Sequence, residues 1–332
     1  MARVLFAAPM DDERRAAVAA MASGLLEPVI LEELSAAQRD SAWAQADVLV
    51  CTGFASELPE DLPRRAPALR MVQTLVAGVD HVPFERIPPE AIVCSNAGAY
   101  NTSVAEHAMA LLLAAAKDVP RRTEEIRRGT FDQEAPSKAL RGSTLLVLGM
   151  GGIGTEVARL ARAFGMAVLG IARADRPYEF ADEIGTLADL ERFAGRADAV
   201  VIALPLTRET EGLVDRRVLR ALRPDAILVN IARGKIIVED DLYEHLRAHP
   251  GFRAALDVWW TYPKGKEGRP FRRPFHDLPN VVMTPHVAFA NPGQRGLAME
   301  AALANVLRFL RGERPLHVVD RSDYVGTPAT GR

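Results

Sequence analysis

Cysteine is nearly absent. Cys51 and Cys94 are the only two in 332 residues, and neither belongs to a CxxC pair. A disulfide framework is excluded, and no metal site is expected. Net charge of one sign is lacking as well: 41 basic residues against 43 acidic ones leave −2. That balance gives no broad footprint for nucleic acid. Long apolar runs are missing, and none approaches the roughly 18 residues that a membrane span needs. The N-terminus, MARVLFAAPMDDERR, turns charged after a few apolar residues and reads as a strand and turn, not as a signal peptide. Lysine is confined to Lys117, Lys138, Lys235, Lys264 and Lys266, with arginine supplying the other cations, which reads as coding bias. These absences lead to the expectation of a cytoplasmic protein that binds neither nucleic acid nor membrane. What is present, 48% hydrophobic and 25% charged residues with 24 Gly and 22 Pro, is globular. The length suits two domains.

Short β-branched, apolar runs alternate with helical stretches, the pattern of parallel sheets with crossover helices. The first series of strands is expected at Arg3–Ala7, Asp47–Cys51, Leu69–Thr74 and Ile92–Cys94, with a helix over Asp11–Ser23. One long helix is expected over Val104–Arg128. The second series falls at Thr144–Leu148, Ala167–Ile171, Ala199–Ala203, Ala226–Asn230, Arg253–Val258 and Val281–Thr284, six strands that fit a dinucleotide-binding sheet. A last amphipathic helix, Gly293–Gly312, would let the chain return to the first domain. The polar tail Arg321–Arg332 is expected to be disordered.

Gly149, Gly151 and Gly154 stand in GxGxxG spacing, directly after an apolar run and at the opening of a helical pattern. That context makes the motif informative. The first glycine permits the tight turn, the second lets backbone approach a pyrophosphate, and the third lets helix and strand pack closely. The helix N-terminus then offers free N–H groups to the phosphates. The next strand carries no carboxylate at its end, where one would read the adenosine ribose. Arg173 and Arg176 lie there instead, and a guanidinium can hold a phosphate bidentately. NADP is therefore favoured over NAD, with Asp175 a little further on keeping NAD open. The plainer alternative makes both arginines solvated loop residues.

In a parallel sheet, the strand C-termini share the edge where ligands bind. Arg233 follows AILVN, Asp257 closes FRAALDV, and His286 follows NVVMTP. Hydride exchange at a hydroxy acid needs a cation for the carboxylate and carbonyl. It also needs an acid/base, for which imidazole suits neutral pH. The competing readings are a surface ion pair for Arg233 and a packed core histidine for His286. His107, inside a helix, and His245, His249 and His317 are weaker candidates, while His81 follows a glycine-containing turn.

The segments QTLVAGVDHV, NAGAYNTSVAEHAMALLL, VLGMGGIG, ALPLTRETEGLVD, NIARGKIIVEDDL, AALDVWW and MTPHVAFAN occur in this order. Together they resemble the D-isomer-specific 2-hydroxyacid dehydrogenase family, most clearly from Leu69 to Leu316. The resemblance implies two doubly wound α/β domains with the active site in the cleft between them. A flavodoxin-like substrate domain spans 1–98 and 290–320, and a Rossmann NAD(P)-binding domain, 99–289, is inserted into it. It implies a homodimer formed through the cofactor domain, and hydride transfer between nicotinamide and C2 of a small 2-oxo or 2-hydroxy acid such as glyoxylate or hydroxypyruvate. The carboxylate-holding arginine falls on Arg233, the proton-exchanging histidine on His286, and the substrate loop on Val76, Ala77 and Gly78. Beyond Gly149, Gly151 and Gly154, cofactor contacts fall on Met150, Gly152, Ile153, Arg173, Leu204, Pro205, Thr210, Ile231, Ala232, Asp257 and Ala288, with Arg176 added from the strand-end argument.

One departure stands out. The family's glutamate, which pairs with the histidine, is replaced by Tyr262 in DVWWTYP. A neutral phenol favours imidazolium less than a carboxylate does. His286 is then expected to titrate lower than in a glutamate-containing relative, unless Glu267 folds back to supply the charge. Tyr100 occupies the place of the asparagine that formate dehydrogenases of this family use, which counts it with Val76, Ala77 and Gly78 as a substrate-binding residue and argues against formate. The loop Tyr262–His276 carries Lys264, Lys266, Arg269, Arg272 and Arg273, read as a solvated loop or subunit contact ahead of an anion attractor. Trp259 and Trp260 read as an apolar wall or dimer contact. The lost glutamate also leaves a second class open: a cofactor-sensing, catalytically weak binding protein on the same fold.

Overall fold

The computed structural model describes residues 1–21, 24–174 and 176–324. The chain divides into two compact units, Met1–Tyr100 with Ala290–Gly331, and Asn101–Phe289.

The first unit opens with β1 (Ala2–Phe6), α1 (Asp12–Met21), β2 (Leu26–Ile30), α2 (Ala36–Ala44), β3 (Val48–Cys51), α3 (Leu62–Arg65), β4 (Met71–Thr74) and β5 (Ile92–Cys94). The strands form one parallel sheet in the order β2-β1-β3-β4-β5, the flavodoxin-like arrangement. β3 and β4 are buried along their whole length, because helices cover both faces of such a sheet and its central strands become continuous apolar runs. β2 escaped the sequence reading because Pro28 sits within it. Proline cannot donate to a ladder and is tolerated only at an edge, which is where β2 lies.

The second unit contains α4 (Asn101–Lys117), α5 (Val119–Arg127), β6 (Thr144–Leu148), α6 (Gly152–Ala163), β7 (Ala167–Ile171), β8 (Glu183–Gly185), α7 (Leu190–Ala194) and β9 (Ala199–Ile202). It continues with α8 (Arg216–Ala221), β10 (Ile227–Asn230), α9 (Glu239–Ala248), β11 (Arg253–Leu256) and β12 (Val281–Met283). Its sheet is parallel throughout, in the order β12-β11-β10-β9-β6-β7-β8. The six-strand dinucleotide-binding order is therefore present with one further strand, β12, at the edge. Seven strands replace the six expected; β8 has only three residues and no apolar run to announce it.

The expected single helix over Val104–Arg128 is two. Asp118 adopts φ 56°, ending α4 and restarting the chain as α5 with Pro120 in its first turn. Pro120 has no N–H to give the preceding turn, so an unbroken helix cannot pass through it.

The chain returns to the first unit with α10 (Gln294–Leu310), which packs on α1 and β4. The start of the tail is ordered, contrary to expectation. Arg321 donates to the carbonyls of Ile87, Pro88 and Ala91, and Tyr324 stacks on Phe84 at 5.5 Å. The tail residues from 325 onward, the end of the expected first helix (22–23) and Asp175 lie outside the described residues. No helix among the described residues is long and apolar enough to cross a membrane.

Candidate functional site

Because every strand of the second unit's sheet runs the same way, the segments leaving β7, β6, β9, β10, β11 and β12 emerge along one edge. Most of the expected cofactor residues, together with Arg233, Asp257 and His286, fall on these segments.

The glycine turn joins β6 to α6. Gly149 has φ 103°, and a Cβ there would lie 2.7 Å from the carbonyl oxygen of Ala203, just past β9. The turn thus sits where strand order reverses, between β6 and β9, the usual crevice for a dinucleotide. A Cβ on Gly154 would collide with the carbonyl of Gly149, so the first turn of α6 closes directly onto the loop. At Gly151, the residue before α6, a Cβ would meet nothing within 4 Å. Two glycines are demanded by close packing and one opens on unfilled space beside a helix N-terminus, which fits a pyrophosphate. Met150 is buried, while Gly152 and Ile153 form the first turn of α6.

After β7, Ala172 is buried and Arg173 is exposed. The Arg176 guanidinium lies 4.6 Å from the ring centre of Tyr178. After β9 come Leu204 and Pro205; the buried Thr210 hydroxyl donates to the Pro205 carbonyl at 2.6 Å and accepts from Thr207 N–H at 2.8 Å. Thr210 therefore shapes this loop from within. After β10, Ile231 and Ala232 are buried, and Asn230 folds back to donate to the Arg233 carbonyl and accept from Ala232 N–H. That local knot brings the half-buried Arg233 side chain out at the edge; its Nη1 donates to Ala232 O at 2.8 Å.

Asp257, after β11, is fully buried. Its Oδ1 accepts from Thr284 Oγ1 at 2.7 Å and Val287 N at 3.0 Å, and its Oδ2 from Ala288 N at 3.2 Å. Fixed to the backbone beyond β12, it orders the edge and is saturated as an acceptor. His286 stands in that clamped turn with φ 58°, a conformation seldom taken outside glycine. The Tyr262 ring lies 5.5 Å from the His286 ring, and its hydroxyl accepts from Trp259 N–H at 3.4 Å. Glu267 is exposed in this loop, with no hydrogen bond or ion pair among the described residues, so the fold-back alternative gains no support.

The basic loop is partly neutralised. Glu239, buried at the start of α9, accepts from the backbone N–H groups of Arg272 and Arg273 and from Arg272 Nε. Asp240 and Glu244 pair with Arg273. Trp259 and Trp260 pack into the core, the latter stacked on Phe275 at 5.2 Å, and both indole N–H groups donate to backbone carbonyls. His107, ranked low from sequence, reaches Asp257 Oδ1 at 3.3 Å and Thr284 Oγ1 at 3.2 Å. Its signal was its place one helical turn beyond Ser103 in NTSVAEH, which takes on meaning only once the facing loop is known.

In the first unit, the turn after β4 carries Val76, Ala77 and Gly78. The Leu75 carbonyl accepts from Tyr100 OH at 2.7 Å and Asn96 Nδ2 at 3.3 Å; the Val76 carbonyl accepts from Thr74 Oγ1 at 2.7 Å and Asn96 N at 3.0 Å. The N–H groups of Val76, Ala77 and Gly78 have no partner among the described residues. Burial pushes the Tyr100 phenol's pKa up, so it serves as a donor to backbone. His81 is a structural residue, bonded to Thr52 O at 3.0 Å and packed on Phe54.

The glycine cradle on a parallel sheet, with arginine, carboxylate and imidazole at adjacent strand ends, defines a dinucleotide-binding oxidoreductase. Residues 109–288 match the NAD binding domain of the D-isomer specific 2-hydroxyacid dehydrogenases, and the chain belongs to that family. It is 33% identical over 307 residues to a D-3-phosphoglycerate dehydrogenase of Methanocaldococcus jannaschii, covering 90% of this chain but 55% of the relative, so it spans about half of that protein. It is 31% identical over 285 residues to a glyoxylate reductase of Pyrococcus furiosus, covering 83% of this chain and 82% of the relative. The structure of an NADPH-dependent glyoxylate/hydroxypyruvate reductase from Sinorhizobium meliloti, in complex with NADP and sulfate, superimposes with a TM-score of 0.81 at 28% identity, covering 98% of this chain and 100% of that one.

Proposed function

We propose that the chain is an NAD(P)H-dependent reductase of a small 2-oxo acid, glyoxylate- or hydroxypyruvate-like, producing the 2-hydroxy acid. The observation that carries this reading is the adjacency of Arg233, Asp257 and His286 at the ends of β10, β11 and β12, on the edge that holds the glycine cradle. The cofactor is assigned to the β6–α6 turn, the segments after β7 and β9, and Ile231, Ala232 and Ala288. When bound, its nicotinamide supplies the hydride for C2. Arg233 holds the carboxylate and polarises the carbonyl. Protonated His286 gives its proton to the carbonyl oxygen, and in the oxidative direction takes it back. Asp257 positions the turn and exchanges no proton. In the first unit, the N–H groups of Val76, Ala77 and Gly78 are assigned to the substrate carboxylate; Tyr100, also assigned to the substrate side, supports that loop by donating to the Leu75 carbonyl. Arg173 and Arg176 favour NADP, and the NADP-bound relative supports the same preference.

The test is cofactor oxidation with a panel of 2-oxo acids, using NADPH and NADH separately. Turnover of at least one small acid is expected, faster with NADPH. Arg173→Ala should lower kcat/KM for NADPH about tenfold and leave NADH nearly unchanged; an unmoved preference removes the NADP assignment. Tyr262 against His286, where the family has a carboxylate, favours a second reading as a cofactor sensor. Tight cofactor binding without turnover of any acid would establish it. We also propose that the protein is a cytoplasmic homodimer assembled through the second unit.

A further inference from the structure

The segment NTSVAEH opens α4, and nothing in the proposed reaction uses it. Ser103 and His107 are one helical turn apart and project from the same face. Both reach the turn that carries His286. Ser103, a buried hydroxyl, donates to the Ala288 carbonyl at 2.6 Å. His107 Nε2 lies 3.2 Å from Thr284 Oγ1 and 3.3 Å from Asp257 Oδ1. The Thr284 hydroxyl spends its proton on Asp257, and a carboxylate only accepts, so Nε2 carries the hydrogen and donates to this pair. Thr284 is thereby held on one side of His286 and Ala288 on the other.

His286 needs such a hold. Its left-handed backbone, φ 58°, is sparsely populated for a residue with a Cβ and persists only where the surroundings over-determine it. Asp257, at the end of β11, fixes the N–H groups of Val287 and Ala288 from the sheet. α4 supplies a second tie, from a helix. We propose that Ser103 and His107 form a bracket that fixes the orientation of His286, and that both are positioning residues for its proton transfer. This rests on the assignment of His286 as the proton donor.

The experiment uses the full chain with 13C-labelled histidine. The His286 ring resonance is assigned by its loss in His286→Gln, and then followed in Ser103→Ala, His107→Leu and His107→Gln, alongside steady-state kinetics. In Ser103→Ala and His107→Leu the resonance should shift or broaden, and kcat should fall about tenfold while KM for the 2-oxo acid stays within about threefold. His107→Gln, which keeps a donor near the Nε2 position, should restore both readouts. Ser103→Ala alone carries the test where His107→Leu does not fold. A His286 resonance unmoved in Ser103→Ala and in His107→Leu overturns the bracket, whatever the kinetics. A wild-type protein that turns over no acid, with the resonance still responding, overturns the proposed reaction and leaves the bracket standing.

Discussion

Arg233 and His286 divide the proposed chemistry between a permanent charge and a titrating one, and their variants should fail differently. Arg233→Lys keeps a charge but loses the planar fork that grips a carboxylate bidentately. It should raise KM for the 2-oxo acid and lower kcat/KM about a hundredfold, with cofactor affinity nearly unchanged. His286→Gln removes the proton donor and should lower kcat by roughly 10²–10⁴, the range of general acid catalysis, with a smaller effect on KM. Equal losses in both parameters for both variants would contradict this division. Tyr262 supplies a third probe. A carboxylate beside an imidazole stabilises the protonated form. Tyr262→Glu should therefore carry the reductive pH–rate profile about one unit towards higher pH, and an unmoved profile would show that Tyr262 does not influence the proton donor.

At the scale of single elements, α9 contains a group that couples folding to pH. His245 is buried against Phe252 and His249, and its Nε2 has no hydrogen-bond partner among the described residues. Burial first, and the neighbouring His249 second, push its pKa down to about 4. The unfolded chain takes up a proton near the ordinary value while the folded chain resists it. Stability is thus retained above that value and lost as pH falls towards 4. Between pH 7 and pH 5 the cost reaches about 2 kcal/mol, at 1.4 kcal/mol per unit of displacement. Denaturant midpoints of the wild type should drop across that interval, and His245→Leu should flatten the drop; an equal drop in both would assign the acid sensitivity elsewhere. The elements also show where sequence patterns stop being informative. β3, β6 and β10 are buried on both faces and stand out as apolar runs, and the glycine turn directly follows β6 and Arg233 closely follows β10. β2, interrupted by Pro28, and β8, three residues long, lie at sheet edges, where neither length nor hydrophobicity is demanded. The contact of His107 with Asp257 spans 150 positions of sequence, and no periodicity encodes it.

At the scale of the whole molecule, the question is what covers α5. This nine-residue helix contains no buried residue, yet Val119 and Ile126 stand 49% and 57% exposed, and Phe131 just beyond it is 76% exposed. A helix this short is marginal in water without an apolar face packed against something. Its ion pairs, among them Arg121 with Glu125 and Arg128 with Glu124, contribute only tenths of a kcal/mol each. Met283 and Val287, on and just after the edge strand β12, add exposed apolar surface to the same unit. A second copy of the chain is the occupant proposed here, and sedimentation equilibrium should give twice the chain mass at micromolar concentration. Ile126→Asp combined with Phe131→Asp places two charges on that surface and should shift the equilibrium to the monomer. Since neither residue belongs to the glycine cradle or to the Arg233–Asp257–His286 edge, cofactor binding should survive in the monomer. A monomeric wild type, or a variant that stays dimeric, would mean that α5 is covered by something other than its own copy.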